Sequence, residues 1–151
     1  MNDKIVTNSS CLIALDRIKR LDILANSFKK IIIPPAVAKE INLELEWTTV
    51  NQIKNEFIVK ILKTQIGDGE SEAIALALEA GDSFLLLDDK KARRIAKQLN
   101  LKIIRTIGLI LRAKKLGLVN EIKPVLDDLQ KADFRIKDSL YQEALRLANE
   151  A

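Results

Sequence analysis

The feature that most constrains this chain is a series of short, uninterrupted apolar runs separated by helix-length segments. Lys4–Thr7 ends at Asn8-Ser9-Ser10, and Lys30–Ile33 carries three consecutive isoleucines closed by Pro34-Pro35. Ser83–Leu87 ends at Asp88-Asp89, and Leu101–Arg105 ends at Thr106. A strand with one wet face alternates apolar and polar residues, whereas a strand covered on both faces is apolar throughout. These runs are of the second kind. Parallel neighbours need a crossover of about a dozen residues, usually helical, and the intervening segments supply it.

Cys11–Ile18 places Leu12, Ile13, Leu15 and Ile18 along one helical face, with Ser9 or Ser10 as the expected N-cap. A short helical segment follows at Leu21–Phe28. Pro35 can occupy the first turn of a helix over Ala36–Asn42, where no N–H is needed. Gly67-Asp68-Gly69 reads as a turn, Glu70–Ala80 as a buried helix stopped at Gly81, and Lys90–Leu99 as a basic amphipathic helix. After Thr106 the pattern is helical to the end, with breaks near Gly117 and around Ala132–Lys137. Leu43–Gln65, which includes Trp47–Val50 and Ile58–Leu62, shows no clear period. The expectation is an α/β chain, residues 1–151 forming one domain, with a parallel central sheet covered on both faces.

Composition narrows the chemistry. The 151 residues contain no histidine and a single cysteine, Cys11. Imidazole catalysis, disulfides and cysteine–zinc sites are therefore excluded. No apolar run approaches the roughly 18–20 residues of a membrane span. The opening Met1-Asn2-Asp3-Lys4 has no signal-like apolar stretch, so a cytoplasmic location with no membrane association is expected. A net charge of +4 and a pI near 9.2 suit an anionic partner and equally suit a lysine-rich surface.

In open parallel sheets, ligands bind beyond the carboxyl ends of the strands. That rule selects Asn8-Ser9-Ser10, Asp88-Asp89 and Thr106, which Glu40 and Glu70 can join from helices. Without histidine or paired cysteines, carboxylates are the available metal ligands, and they suit a hard ion, Mg2+ or Mn2+. Each acid also has a structural use: Glu70 and Glu72 favour a helix N-terminus, Asp88 or Asp89 can cap the next helix, and Glu40 beside Lys39 can be a solvated residue. Lys90, Lys91, Arg93, Arg94 and Lys97 crowd one helix beside these acids. They are placed to meet phosphate, or to form a solvated face opposite Ala92, Ile95 and Leu99. With four Phe, one Tyr and one Trp, no stacking platform for bases stands out.

Four ordered segments carry a resemblance: IVTNSSCLIAL, IIIPPAVAKEI, the long stretch GDGESEAIALALEAGDSFLLLDDKKARRIAKQLNLKIIRTIGLIL, and AKKLGLVNEIKPVLDDLQKADFRIKDSLYQEAL. Together they resemble PIN-domain proteins of the DUF3368 type, related to the VapC-like toxin ribonucleases. The likeness covers nearly every segment except Leu43–Ile66. It implies a PIN-like three-layer α/β/α fold and a divalent-metal-dependent single-stranded RNA endonuclease. In such enzymes three or four acids bind one or two ions.

The resemblance maps those acid positions onto Asn8, Glu40, Glu70 and Asp88, with Asp89 and Glu72 as neighbouring candidates. It maps the small hydroxyl residue that supports the first acid onto Ser10. It also implies a homodimer and an antitoxin protein partner. Asn8 is the departure, because an amide oxygen can touch a metal but brings no charge. The expectations are therefore a nuclease weakened at Asn8 or a degenerate relative that binds RNA or a protein without cutting. A phosphate-accepting regulatory domain built on Asp88 or Asp89 lacks the acidic pair such a domain needs after its first strand.

Overall fold

A computed structural model describes residues 3–151; Met1 and Asn2, part of the opening read above for a targeting signal, lie outside the described residues. Its elements run β1 (Lys4–Thr7), α1 (Ser9–Arg17), α2 (Asp22–Ala25), β2 (Lys30–Ile33), α3 (Pro35–Ile41), β3 (Thr48–Val50) and α4 (Glu56–Leu62). There follow α5 (Asp68–Ala80), β4 (Phe84–Leu86), α6 (Lys90–Gln98), β5 (Lys102–Ile104), α7 (Thr106–Lys115), α8 (Ile122–Lys131) and α9 (Asp138–Leu147). The strands form one sheet in the order β3-β2-β1-β4-β5, and every pairing is parallel. The expected neighbours β1, β4 and β5 are adjacent.

Successive side chains of a strand point to opposite faces, and the core divides accordingly. Ile5, Ile31, Ile33 and Leu86 pack with Leu12, Leu15, Leu109, Ile110 and Leu126 from α1, α7 and α8. Val6, Ile32, Leu85 and Leu87 pack with Ile74, Leu76, Ala92 and Ala96 from α5 and α6. The isoleucine run is thus split by its own pleat between two cores, which produces the three-layer α/β/α arrangement. Each fully buried Ile or Leu contributes about 1.5–3 kcal/mol of transfer free energy.

Some local expectations are revised. The N-cap of α1 is Asn8, not Ser9 or Ser10: Asn8 Oδ1 accepts the Cys11 N–H at 3.3 Å, and both serines lie in the first turn. Asp68 and Gly69 belong to the first turn of α5 rather than to a free turn. The stretch without a clear period holds β3 and α4. β3 is half-exposed and carries two threonines, so it lacks the apolar signature of the inner strands. α4 leaves Phe57 and Ile61 in water, which blurs its face. No helix among the described residues is long and apolar enough to cross a membrane.

Candidate active site

From β1 the chain steps to β2 and β3 on one side of the sheet, while β4 and β5 lie on the other. The gap between the ends of β1 and β4 is therefore the topological switch point, where open parallel sheets hold ligands. Asn8 follows β1 directly and Asp88 follows β4 closely, with Thr7 paired opposite Leu86. Neighbouring strand ends thus place these two residues on one edge.

Each is held by hydrogen bonds. Asn8 is 3% exposed; while its Oδ1 caps α1, its Nδ2 donates to Ser10 Oγ at 2.9 Å. Asp88 Oδ1 accepts the Thr106 backbone N–H at 2.9 Å, and Oδ2 accepts the Thr106 hydroxyl at 2.5 Å. Arg105, the N-cap of α7, offers no side-chain cap, so Asp88 caps that helix from another strand. Its negative charge also suits the positive end of the helix dipole. Cys11 sits close by, fully buried. Burial first and the Asp88 charge second push its thiol far above the ordinary range, with Thr106 opposing, so it is an inert core residue.

The second part of the edge is built by α3 and α5. Glu40, late in α3, lays its carboxylate on Gly69, where a Cβ would stand only 2.1 Å from Oε1. Glycine is what lets the acid approach α5 so closely. Burial holds the Glu40 carboxyl above its ordinary value, reinforced by the charges of Glu70, Asp68 and Glu72. The Ser9 hydroxyl acts the other way. Ser9, next to Asn8, therefore links the Glu40 group to the β1 end. Glu70 Oε1 accepts the Gly67 N–H at 3.1 Å and closes the first turn of α5.

Two neighbouring acids serve structure. Glu72 Oε1 accepts the Ala36 N–H at 2.9 Å at the start of α3, and Asp89 Oδ2 caps α6 through the Ala92 N–H at 2.9 Å. For Asp89 this is the capping use anticipated beside its metal candidacy.

The edge thus carries Asn8 and Asp88 at the strand ends and Glu40 and Glu70 on the helices, with Ser9 between. Among the described residues no three acidic or cysteine side chains stand together closely enough to grip one metal ion as they are placed. Several of the acid oxygens are occupied by the backbone caps above. In kind, the donors fit a hard divalent ion: all are oxygens, and the charges of Glu70, Asp68 and Glu72 act on Glu40, with Lys39 and Lys63 on the same cleft. In access they fit as well, since Glu40, Asp68 and Glu72 line an open cleft of about 440 Å3. Closing on an ion would require Glu40 and Glu70 to swing from their present contacts.

Of the basic residues, Lys90 and Arg93 line a cleft that includes Asp88. Lys91 and Arg94 are exposed and are not among its lining residues, and Ser10 is exposed beside Asn8. Sequence reasoning passed over Asp68, hidden in an apparent turn, and did not see Thr106 as the partner of Asp88. Arg105 also borders this cleft; burial and the nearby Arg93 push its guanidinium below the usual value, against the pull of Asp88.

An all-parallel five-stranded sheet between helical layers, with acids at the switch-point edge, is the α/β/α architecture of the PIN-like class. The family model DUF3368, described as a PIN domain, matches residues 4–150, and the chain belongs to that family. PIN domains form a nuclease-like family and generally use divalent metal ions. A search of curated proteins found no match.

Proposed function

We propose that the protein is a divalent-metal-dependent single-stranded RNA endonuclease of low intrinsic activity, with Glu40, Glu70 and Asp88 as its acids. The observation that carries this reading is the crowding at Glu40. A carboxylate pressed onto Gly69 is disfavoured in its charged form by burial and by the charges of Glu70, Asp68 and Glu72. A bound divalent cation would offset both beyond what Lys39 and Lys63 on the cleft supply. Glu40, Glu70 and Asp88 would hold Mg2+ or Mn2+. The ion, when bound, supplies a water of lowered pKa and screens the phosphodiester charge.

The chain's own residues do the rest. Thr106 holds Asp88 at the strand end through two hydrogen bonds. Ser9 favours the charged form of Glu40. Asn8 orients α1 but adds no negative charge, so ion affinity falls below that of a four-acid edge.

A second reading, an RNA-binding relative that does not cut, draws on the absence of any three-acid cluster among the described residues. Cleavage of single-stranded RNA with millimolar Mn2+, compared with Glu40→Gln purified in parallel, separates the two. The nuclease reading predicts Mn2+-dependent cuts that Glu40→Gln abolishes. Cuts that persist in Glu40→Gln are contamination, and intact RNA with both proteins supports the non-cutting reading. A homodimer and an antitoxin that covers the acid edge belong to the same proposal, as does action in the cytoplasm.

A further inference from the structure

Beside Asp88 lies a cleft of about 450 Å3 whose charges are strongly unbalanced. Lys90 and Arg93 reach it from α6, Arg105 from the end of β5, and Arg135 and Lys137 from the segment between α8 and α9. Only Asp88 and Glu143 oppose these five cations. Asp88 is engaged with Thr106. None of the five cations is in a salt bridge found among the described residues.

The local sequence explains how the last two cations arrive. Phe134-Arg135-Ile136-Lys137 lies outside helix and strand, and its burial alternates, Phe134 and Ile136 being the covered residues and Arg135 and Lys137 the exposed ones. Phe134 and Ile136 pack into the core against α8 and α9, and that anchors Arg135 and Lys137 outward at the cleft. Arg105 gives a second, independent sign. Its Nε is buried and has no hydrogen-bond partner among the described residues. A buried donor left unpaired is costly, and here the repulsive neighbour Arg93 adds to the cost. Arg93 spends its own Nε on the Asp88 carbonyl at 3.3 Å.

We propose that this cleft is a phosphate-binding subsite that holds the backbone of single-stranded nucleic acid next to the acid edge, which it meets at Asp88. The nucleic-acid ligand rests on the reading given above; the anion preference rests on the cleft itself. Guanidinium forks match phosphate oxygens in pairs. The lining offers Leu140 as its one large apolar side chain and no aromatic ring, so it suits a backbone rather than a base or an anchored peptide side chain.

The test is fluorescence anisotropy with a labelled single-stranded RNA of about 12 nucleotides, within the span of single-strand sites, in EDTA so that no cutting occurs. Arg135→Ala/Lys137→Ala removes two exposed cations without touching the core. It is expected to weaken binding on the order of 10-fold and to flatten the dependence of log affinity on log salt by about 0.7 per lost phosphate contact. Arg105→Ala should act in the same direction. Lys29→Ala, at the opposite end of the sheet, should bind as the wild type does.

Unchanged binding by Arg135→Ala/Lys137→Ala overturns the subsite. So does displacement of the RNA by a polyglutamate peptide at lower concentration than by unlabelled RNA, which would make the ligand an acidic protein. The two proposals fail separately. A protein that never cuts RNA but loses binding in these variants keeps the subsite and loses the nuclease. A protein that cuts but binds unchanged in the variants does the reverse.

Discussion

Gly69→Ala separates a catalytic role for Glu40 from a structural one. The new methyl would stand 2.1 Å from Glu40 Oε1 and 3.1 Å from Cδ. Ordinary non-bonded contact then requires the carboxylate to retreat by about 1 Å. The yielding group is the tip of a flexible side chain, so the backbone of α5 stays in place. An alanine in a helix is favoured over glycine by about 0.5–1 kcal/mol, which in a domain of this size raises the melting temperature by roughly 1–4 °C. Moving Glu40 away from Glu70 and Asp68 adds to the gain. A catalytic acid displaced by about 1 Å, however, can cost about 100-fold in rate. The variant should therefore melt at or above the wild type and cut single-stranded RNA in Mn2+ about 100-fold more slowly. Wild-type cleavage by a stable Gly69→Ala protein would remove Glu40 from the catalytic set. A melting temperature lowered by several degrees would show that the helix, not the side chain, absorbs the collision.

Three further outcomes follow from the same edge. The Glu40 carboxyl is held above its ordinary value of 4.5, so as pH falls the folded protein takes up a proton before the unfolded chain does. Wild-type stability is then lost as pH rises through that range; Glu40→Gln should melt higher at neutral pH, and its advantage should vanish below pH 4.5. An advantage equal at both ends of the range would contradict this. Thr106→Val removes the hydroxyl donor to Asp88 and should cost about 1.5–3 kcal/mol, or roughly 3–12 °C in melting temperature; a change under a degree would show that Asp88 is held by other means. Asn8→Asp keeps a good N-cap but adds a buried charge, so without metal it should melt lower than the wild type. With millimolar Mn2+ it should gain more than the wild type does; equal gains would show that Asn8 does not limit ion binding.

Much of the fold was legible because both faces of the sheet are covered. That condition makes Lys30–Ile33 and Ser83–Leu87 apolar from end to end, a pattern that few other environments produce. β3 escaped because it is the edge strand, where Thr48 and Thr49 serve as well as isoleucine. α4 escaped because Phe57 and Ile61 face solvent and break the period. At the site, the strand-end rule found Asn8, Asp88 and Thr106, but their hydrogen bonds depend on which helix lies opposite, which no local pattern records. The choice of Asn8 over the serines as cap follows from where β1 ends, a boundary the sequence leaves uncertain by a residue or two. Asp68 was masked by its two flanking glycines. Arg135 and Lys137 carried a readable signal in the alternation Phe-Arg-Ile-Lys, which passed as a simple helix break.

The most direct test of the account is to locate the ion. Crystals of the protein soaked in Mn2+, with data collected to record its anomalous scattering, would show where it binds and which oxygens turn toward it. The account predicts a peak at the carboxyl edge between β1 and β4, with Glu40 released from Gly69 and Glu70 from the Gly67 N–H to meet it, and Asp88 still held by Thr106. A crystal that takes up Mn2+ elsewhere, while Glu40 and Glu70 keep their present contacts, would contradict the assignment of these acids.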